Sequence, residues 1–432
     1  MPLDLHISNP AFEAVFSALL ASKRETDAGV GAAVAAILAD VRARGDAAVI
    51  EYTRRFDRLS LTADALRLDP VTAAAAAPPD QVEALEFAAE RIRAFHARQM
   101  PSDLFYKDER GVGLGHRWTP VGAAGLYVPG GTAAYPSSVL MNAIPAKVAG
   151  VGRLVMVVPT PEGVVNPLVM AAARLAGVDE IYRIGGAQAV GALAYGTATI
   201  APVDKIVGPG NAYVAAAKRQ VFGTVGIDMI AGPSEILVVA DGDNDPSWIA
   251  ADLLSQCEHD VSAQAILITD DSAFGRRVRD AVEVHLSTLS RAAIARESWN
   301  THGLVIVVDR LEQAVALVDR IAPEHLELAV ADPEAFAAKV RNAGAIFLGR
   351  HTPEAVGDYV GGPNHVLPTA RSARFSSGLS VLDFLKRTSL LSCDAAALGA
   401  VGPAAVTLAL AEGLDAHGRS ISIRLNGGGA AP

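Results

Sequence analysis

An acid and an imidazole stand side by side in the segment Pro323-Glu324-His325-Leu326. Carboxylate and imidazole are the side chains best suited to moving protons near neutral pH. Pro323 follows a predicted helix, Glu312 to Arg320, and helps to end it. Glu324 and His325 are therefore a candidate catalytic pair. A solvated turn between a helix and a strand is the alternative interpretation.

A second group lies on a predicted helix that begins at Asp245 and the following proline, a good N-cap and a good first residue. Gln256 continues the apolar face of this helix, and His259 is expected one turn further on the same side. An inward amide and imidazole need a metal ion or a hydrogen bond in the core, and glutamine is an uncommon zinc ligand. Cys257 points about 100° away from Gln256 on a helix, so we expect it to pack and not to attack an aldehyde.

Two further pairs lie nearer the C-terminus. Asp358 and His365 belong to a glycine-rich segment of the kind that carries function on a rigid scaffold. Glu412 and His417 are five residues apart and would diverge by about 140° on one helix. If both act, either the helix ends between them or they serve different roles, and Gly413 favours an early end.

The chain has no G-x-G-x-x-G between a strand and a helix, the usual mark of a dinucleotide site. Three other glycine turns could bring backbone N–H groups to a phosphate at a helix N-terminus, although ordinary turn chemistry would explain each of them as well. These turns are Tyr127-Val-Pro-Gly-Gly131, Gly185-Gly-Ala-Gln188 and Gly208-Pro-Gly-Asn211.

Composition limits the class of protein. A chain of 432 residues is long enough for at least two compact units. Its net charge of -10 leaves no basic surplus for nucleic acid. Two cysteines are too few for a disulfide framework and suit the cytoplasm. No long apolar run or targeting peptide is present, so no membrane contact is expected.

The pattern is helical to about Met100, with a helix predicted to be capped by Asp80. From about Leu114, short Val- and Ile-rich runs alternate with Ala-rich segments, which predicts βαβ units. We expect two parallel-sheet units side by side, with a ligand cleft at the carboxyl ends of their strands. The segment from about Ser380, with a helix opening at Pro403, must pack on another domain or subunit.

Together these motifs resemble the histidinol dehydrogenase family over nearly the whole chain. The most specific stretch runs from Ile227 to Ala240 (IDMIAGPSEILVVA), and four shorter motifs follow the family's order. They are Gly208-Pro-Gly-Asn211, Leu254-Ser-Gln-Cys-Glu-His259, Pro323-Glu-His-Leu326 and Asn364-His-Val-Leu-Pro368.

The resemblance implies an α/β fold of two incomplete Rossmann-like parallel-sheet units, with a helical N-terminal region and a small C-terminal extension. The implied segments are a helical region at 1–106, α/β domains at 107–232 and 233–379, and an extension at 380–432 that contributes to the site of a dimer partner.

The resemblance also implies a role for each matching residue. One Zn²⁺ per subunit would be bound by Gln256, His259, Asp358 and His417, the last from the partner subunit of a homodimer. Ser234, His365 and Glu412 would contact substrate together with His325 and the zinc ligands, and the NAD contacts would be Tyr127, Gln188 and Asn211. The family often has alanine where this chain has Cys257.

The reaction that the resemblance implies is oxidation of L-histidinol through histidinal to L-histidine, with two NAD in succession. We expect His325 to take the alcohol proton and Glu324 to activate water for the aldehyde step, with zinc in an orienting and electrostatic role. The alternatives are a related dehydrogenase of another polar alcohol such as a sulfonated diol, a zinc hydrolase, and a binding protein without activity.

Overall fold

The computed structural model of the protein describes residues 2–22, 28–69, 74, 76–130, 135–230 and 232–426. Gly131 and Ala231, which belong to two of the sequence motifs, lie outside the described residues. The chain divides into two compact units. The larger unit comprises Met1–Gln99 with Gly122–Phe384, and the smaller comprises Met100–Val121 with Leu385–Pro432.

Helices account for much of the described chain, and none of them is long and apolar enough to cross a membrane. They are α1 (Phe12–Ser22), α2 (Ala28–Arg44), α3 (Asp46–Asp57), α4 (Pro79–Ala97), α5 (Pro136–Ala149), α6 (Pro167–Leu175), α7 (Gly186–Tyr195), α8 (Ala212–Val221), α9 (Pro246–Cys257), α10 (Ser272–Leu286), α11 (Ala292–His302), α12 (Glu312–Ile321), α13 (Pro333–Ala337), α14 (Glu354–Tyr359), α15 (Ala395–Ala411) and α16 (Asp415–Asn426).

The strands form three sheets. They are β1 (Leu3–His6), β2 (Arg67–Leu68), β3 (Leu104–Lys107), β4 (Gly113–Pro120), β5 (Ala123–Tyr127), β6 (Arg153–Val157), β7 (Glu180–Tyr182), β8 (Lys205–Val207), β9 (Gly226–Ile227), β10 (Glu235–Ala240), β11 (Gln264–Thr269), β12 (Leu304–Val307), β13 (His325–Ala329), β14 (Ala345–Leu348) and β15 (Leu385–Ser392).

Two six-stranded sheets form the core of the larger unit. The first sheet has the order β2-β7-β6-β5-β8-β9 and is parallel except for β2, and the second has the order β1-β12-β11-β10-β13-β14 and is wholly parallel. Strand order reverses beside β5 in the first sheet and beside β10 in the second, which is the arrangement of an open α/β sheet. The predicted α/β class with two parallel-sheet units is confirmed, whereas the division into four segments stays a prediction.

Several elements differ from the sequence expectation. β5 and β13 were not predicted as strands, because one is rich in alanine and the other carries His and Glu among its apolar residues. The N-terminal hundred residues are mainly helical but add the edge strands β1 and β2. α4 begins at Pro79 after Pro78, so the prediction of an Asp80 cap is wrong.

The smaller unit contains the antiparallel sheet β15-β4-β3 with α15 and α16. Asp394 caps α15 by accepting from the Ala397 N–H at 2.9 Å. The predicted helix start at Pro403 is therefore wrong, and Pro403 lies inside α15. The predicted break before His417 is confirmed, because α15 ends at Ala411 and Gly413 has φ 72°.

A matched pair of phenylalanines tests the core of the second sheet. Phe274 on α10 is fully buried, whereas Phe222 after α8 is 68% exposed. Phe274→Ala should lower the free energy of unfolding by about 3–5 kcal/mol, because it opens a cavity. Phe222→Ala should change it by less than about 1 kcal/mol. Chemical denaturation of both variants checks this, and equal losses would contradict the assigned core.

Candidate active site

Glu324 and His325 lie at the amino end of β13, directly beside β10. The N–H of Glu235 donates to Oε2 of Glu324 at 2.9 Å, and Nδ1–H of His325 donates to the carbonyl oxygen of Glu235 at 2.9 Å. Glu324 is 6% exposed and His325 is 4% exposed. The alternative of a solvated turn is therefore wrong.

The hydrogen bond to Glu235 fixes the tautomer of His325. A carbonyl oxygen can only accept, so Nδ1 carries the proton and Nε2 of the neutral ring carries the lone pair. Burial lowers the pKa of His325 to about 4, which keeps the ring neutral at pH 7. Nε2 is buried, has no hydrogen-bond partner and lies 3.7 Å from Oε1 of Glu354.

Glu324 is placed in an environment that disfavours its charge. Burial raises the pKa of its carboxyl well above the usual range, and the nearby carboxylates of Glu235, Asp358 and Glu354 raise it further. The N–H of Glu235 lowers it, but less than burial raises it. A carboxylate with a raised pKa is the stronger base when it is ionised.

The end of α9 supplies an amide and a second imidazole. Nε2 of Gln256 lies 3.4 Å from Nδ1 of His259, and Oε1 of Gln256 is buried without a partner. The prediction that both side chains are buried on one helical face is wrong for His259, which is exposed because the helix ends at Cys257. Cys257 itself is fully buried, which confirms its predicted packing role, and burial raises the pKa of its thiol to about 11.

Asp358 on α14 and His365 in the following loop are brought together, as their spacing suggested. Nδ1–H of His365 donates to the carbonyl oxygen of Asp358 at 3.0 Å and lies 3.5 Å from its Oδ1. Burial alone would raise the pKa of Asp358, but the hydrogen bond and charge of His365 outweigh it and bring the pKa to about 2.

Helices packed on the first sheet anchor this loop. Nδ2 of Asn364 donates to the carbonyl oxygen of Met141 on α5 at 2.6 Å, and Oγ of Ser138 lies 3.3 Å from Nε2 of His365. From α4, Arg91 donates to the carbonyl oxygen of Val360 at 2.5 Å. The loop that follows α14 is thus held in place by α4 and α5.

Sequence reasoning missed two acids at this site, Glu327 and Glu354. Glu327 lies two residues after His325 on β13, so it shares its face of the strand, and burial with Asp252 beside it raises its pKa to about 10. Glu354 precedes Asp358 by one helical turn, and burial raises its pKa to about 9. The sequence signals that could have found them are the spacing of two between His325 and Glu327 on a strand and the spacing of four between Glu354 and Asp358 on a helix.

The donor atoms converge closely enough to consider a metal ion. Among the described residues, one ligand atom each from His325, Glu354 and Asp358 lie within 4.8 Å of one another. The unpartnered Oε1 of Gln256 adds an oxygen donor. Buried carboxylates, imidazoles and an amide form a set that suits a divalent cation.

The other predicted site residues lie at the first sheet. Tyr127 ends β5, and its hydroxyl accepts from the N–H of Gly186 at 3.0 Å. Gln188 is buried at the start of α7, with Oε1 unpartnered. Asn211 is exposed and caps α8 by accepting from the N–H groups of Tyr213 and Val214.

A cleft was expected at the carboxyl ends of the strands in both sheets, but the candidate site residues lie at opposite edges of the two sheets. Tyr127, Gln188 and Asn211 lie at the carboxyl edge of the first sheet. Glu324 and His325, with the partly buried Ser234 just before β10, lie at the amino edge of the second sheet. Strand order did not predict candidate residues at the amino edge, because ligands of open α/β sheets usually bind at the carboxyl ends of the strands.

Glu412 and His417 belong to the smaller unit, and both are exposed there. Neither makes a side-chain contact that would give it a structural role among the described residues of that unit. Their side chains are available to a partner of the chain.

Comparison with known proteins gives a consistent result. A family model described as histidinol dehydrogenase matches residues 20–425. Histidinol dehydrogenase of Rhodospirillum rubrum is 69% identical over 99% of this chain and 100% of its own length. Histidinol dehydrogenase of Ruegeria pomeroyi is 67% identical over 99% of each chain. The crystal structure of histidinol dehydrogenase from Elizabethkingia anophelis is similar, with a TM-score of 0.93 and 36% identity over 99% of this chain and 98% of that chain.

The two cysteines give a test of the site's burial. Iodoacetamide should label the exposed Cys393 of the native protein much faster than Cys257, whose burial and raised pKa suppress the thiolate. Peptide mass spectrometry of native and unfolded samples measures this, with Cys393→Ser as the control that should leave the native protein unlabelled. Rapid native labelling of Cys257 would contradict its packing role.

Proposed function

This chain belongs to the histidinol dehydrogenase family, and from that membership we propose that it oxidises L-histidinol through histidinal to L-histidine with two NAD in succession. It is an NAD-linked oxidoreductase that acts through an alcohol and an aldehyde step. The observation that supports the roles of individual residues is the buried His325. Its Nδ1 lies 3.7 Å from Oε2 of Glu324, and its Nε2 has no hydrogen-bond partner. The full-length identities favour this function over a related dehydrogenase of another polar alcohol.

His325 is our candidate for the base of the first step. Oxidation of an alcohol requires loss of the hydroxyl proton while a hydride leaves the carbon for NAD. Because Nδ1–H is held by Glu235, only Nε2 can accept that proton. The low pKa keeps Nε2 unprotonated at neutral pH.

Glu324 is our candidate for activating water in the second step. Water must add to the aldehyde before a second hydride can leave, and its attack requires a base for one proton. The N–H of Glu235 holds the carboxyl of Glu324 in place at 2.9 Å. The buried surroundings of Glu324 make its carboxylate a stronger base than an exposed one, with His325 assisting.

We propose that Gln256, His259 and Asp358, with His417 of the partner subunit, hold one Zn²⁺ per subunit. The unpartnered Oε1 of Gln256 and the crowded acids around Asp358 fit a cation. When bound, the ion would orient the polar substrate and stabilise developing charge. Ser234, His365 and Glu412 would contact the substrate beside these ligands.

We propose that Tyr127, Gln188 and Asn211 bind NAD at the carboxyl edge of the first sheet. Their turns follow three strands of that sheet, and Asn211 stands at a helix N-terminus where a phosphate is favoured. Contacts from Ser138 and Met141 of α5, the helix after β5, to His365 and Asn364 support a cofactor site that adjoins the proposed substrate contact His365.

We propose that the chain forms a homodimer through the surface of the smaller unit. Of the 17 residues of α15, nearly all apolar, only Ala397, Gly402 and Ala409 are buried. Nearby, Phe105 is 58% exposed and Leu391 is 73% exposed. An exposed apolar surface of this kind is typical of a protein interface. A second copy of the chain would bury it and would also supply Glu412 and His417 to the proposed active site. We further propose that the enzyme works in the cytoplasm, where its two free cysteines stay reduced.

Activity is tested directly by mixing the purified protein with L-histidinol and NAD and following NADH absorbance. We expect two NADH per histidinol, loss of activity with a strong chelator, and recovery with Zn²⁺. No NADH with or without added zinc would overturn the proposed function. Activity that survives complete metal removal would overturn only the zinc proposal.

Glu324→Gln separates the two steps. It should lower kcat for histidinal oxidation by about 100-fold or more, because water loses its base. Histidinol oxidation to histidinal should fall far less, so rapid mixing should show a first NADH per site and then a slow phase. Glu334→Gln, at an exposed position on α13, is the matched control. Equal loss in both steps would contradict this division of labour.

Mixed dimers test the shared site. Glu324→Gln and His417→Ala should each have little histidinal-oxidising activity alone, but a mixed dimer would contain one intact site. Random mixing after dissociation should therefore restore about a quarter of wild-type activity. Zero recovery in a sample shown to contain mixed dimers would place His417 in the site of its own subunit.

A further inference from the structure

A buried ion pair lies beneath the turn Gly208–Asn211, which the proposed function assigns to NAD. Lys218 of α8 and Asp228 after β9 form this pair, with side chains 3% and 1% exposed. We propose that the Lys218–Asp228 ion pair is a positioning device that fixes the cofactor turn for NAD binding. This inference rests on the proposed function.

The ion pair holds both backbone polar groups of one residue. Nζ of Lys218 donates to the carbonyl oxygen of Gly208 at 2.9 Å, and the N–H of Gly208 donates to Oδ2 of Asp228 at 2.8 Å. The other oxygen, Oδ1, contacts Lys218 and accepts from the N–H of Met229 at 2.6 Å. The peptide planes on both sides of Gly208 are therefore fixed by charged groups.

The conformation of Gly208 requires glycine, so these contacts are needed to hold a residue that is otherwise free to rotate. Its φ of 109° lies where a residue with a side chain is strained. A Cβ at this position would come within 2.2 Å of the carbonyl oxygen of Tyr127, another proposed NAD contact. The turn thus packs directly on the end of β5, and a small rotation at Gly208 would move both.

Stability alone is a weak reason for this arrangement. Burying two charges costs several kcal/mol per ion, and apolar residues of similar size are often as stabilising. A charged pair does provide directional hydrogen bonds. Lys218 lies two turns after Asn211 on α8, so the pair connects the helix, its N-terminal turn and the segment that leads to β10.

The test compares chemically matched changes at two ion pairs. Lys218→Met, Asp228→Asn and the double variant remove charge beneath the turn. Lys147→Met and Asp179→Asn make the same changes at a 2.7 Å ion pair that is 30% and 42% exposed and is not part of the turn. For each folded variant, the measurements are Kd and KM for NAD, KM for L-histidinol, and the thermal midpoint.

We expect Kd and KM for NAD to rise about tenfold or more at the first pair, since a small misplacement of binding groups is costly. KM for L-histidinol should stay within about twofold. The control pair should change neither. Unchanged NAD affinity in folded Lys218→Met, or an equal rise in both KM values, would overturn the proposal.

Single variants leave one buried charge unpaired and are expected to be the least stable. The double variant removes both charges, so its Kd and KM for NAD test the proposal if the single variants do not fold. Failure of the double variant to fold would show that the pair serves stability and would also overturn the proposal. If the wild-type protein makes no NADH, the proposed function is refuted. If the wild type is active and the variants have unchanged Kd and KM for NAD, only the positioning role is refuted.

Discussion

The backbone of Glu235 is the constraint on which the proposed chemistry depends. Its N–H binds Glu324 and its carbonyl oxygen binds His325, so one peptide segment orients both side chains. The parallel pairing of β10 with β13, in which Ile236 pairs with His325, sets this register. Because a carbonyl only accepts, the pairing also decides which imidazole nitrogen is left with a lone pair.

Burial then determines the charges around that lone pair. Glu327 and Glu354 are held protonated by burial and by neighbouring acids, whereas Asp358 stays ionised beside His365. A dication bound among these groups would favour their ionised forms. The burial of these acids is therefore compatible with a site for a divalent cation.

The two sheets share one strand order, but their candidate site residues lie at opposite edges. The first sheet offers glycine turns and helix N-termini at its carboxyl edge, which suits a dinucleotide. The second offers acids and imidazoles at its amino edge. Contacts of Ser138 and Met141 with the loop at 364–365 connect the helix after β5 to the loop that contains His365. In the proposed function, residues of different sheets would bind the cofactor and the substrate.

The sequence by itself determined the α/β class, most of the parallel strands, the helix capped by Asp245 and the family, because periodicity, caps and turn residues are local signals. It also identified Glu324, His325 and Asp358 as chemically notable. It could not show that β13 is a central strand, that Glu327 and Glu354 join the site, or that His259 leaves the helix after Cys257. Those features depend on strand pairing and burial between residues far apart in the chain, and only the tertiary structure brings such residues together.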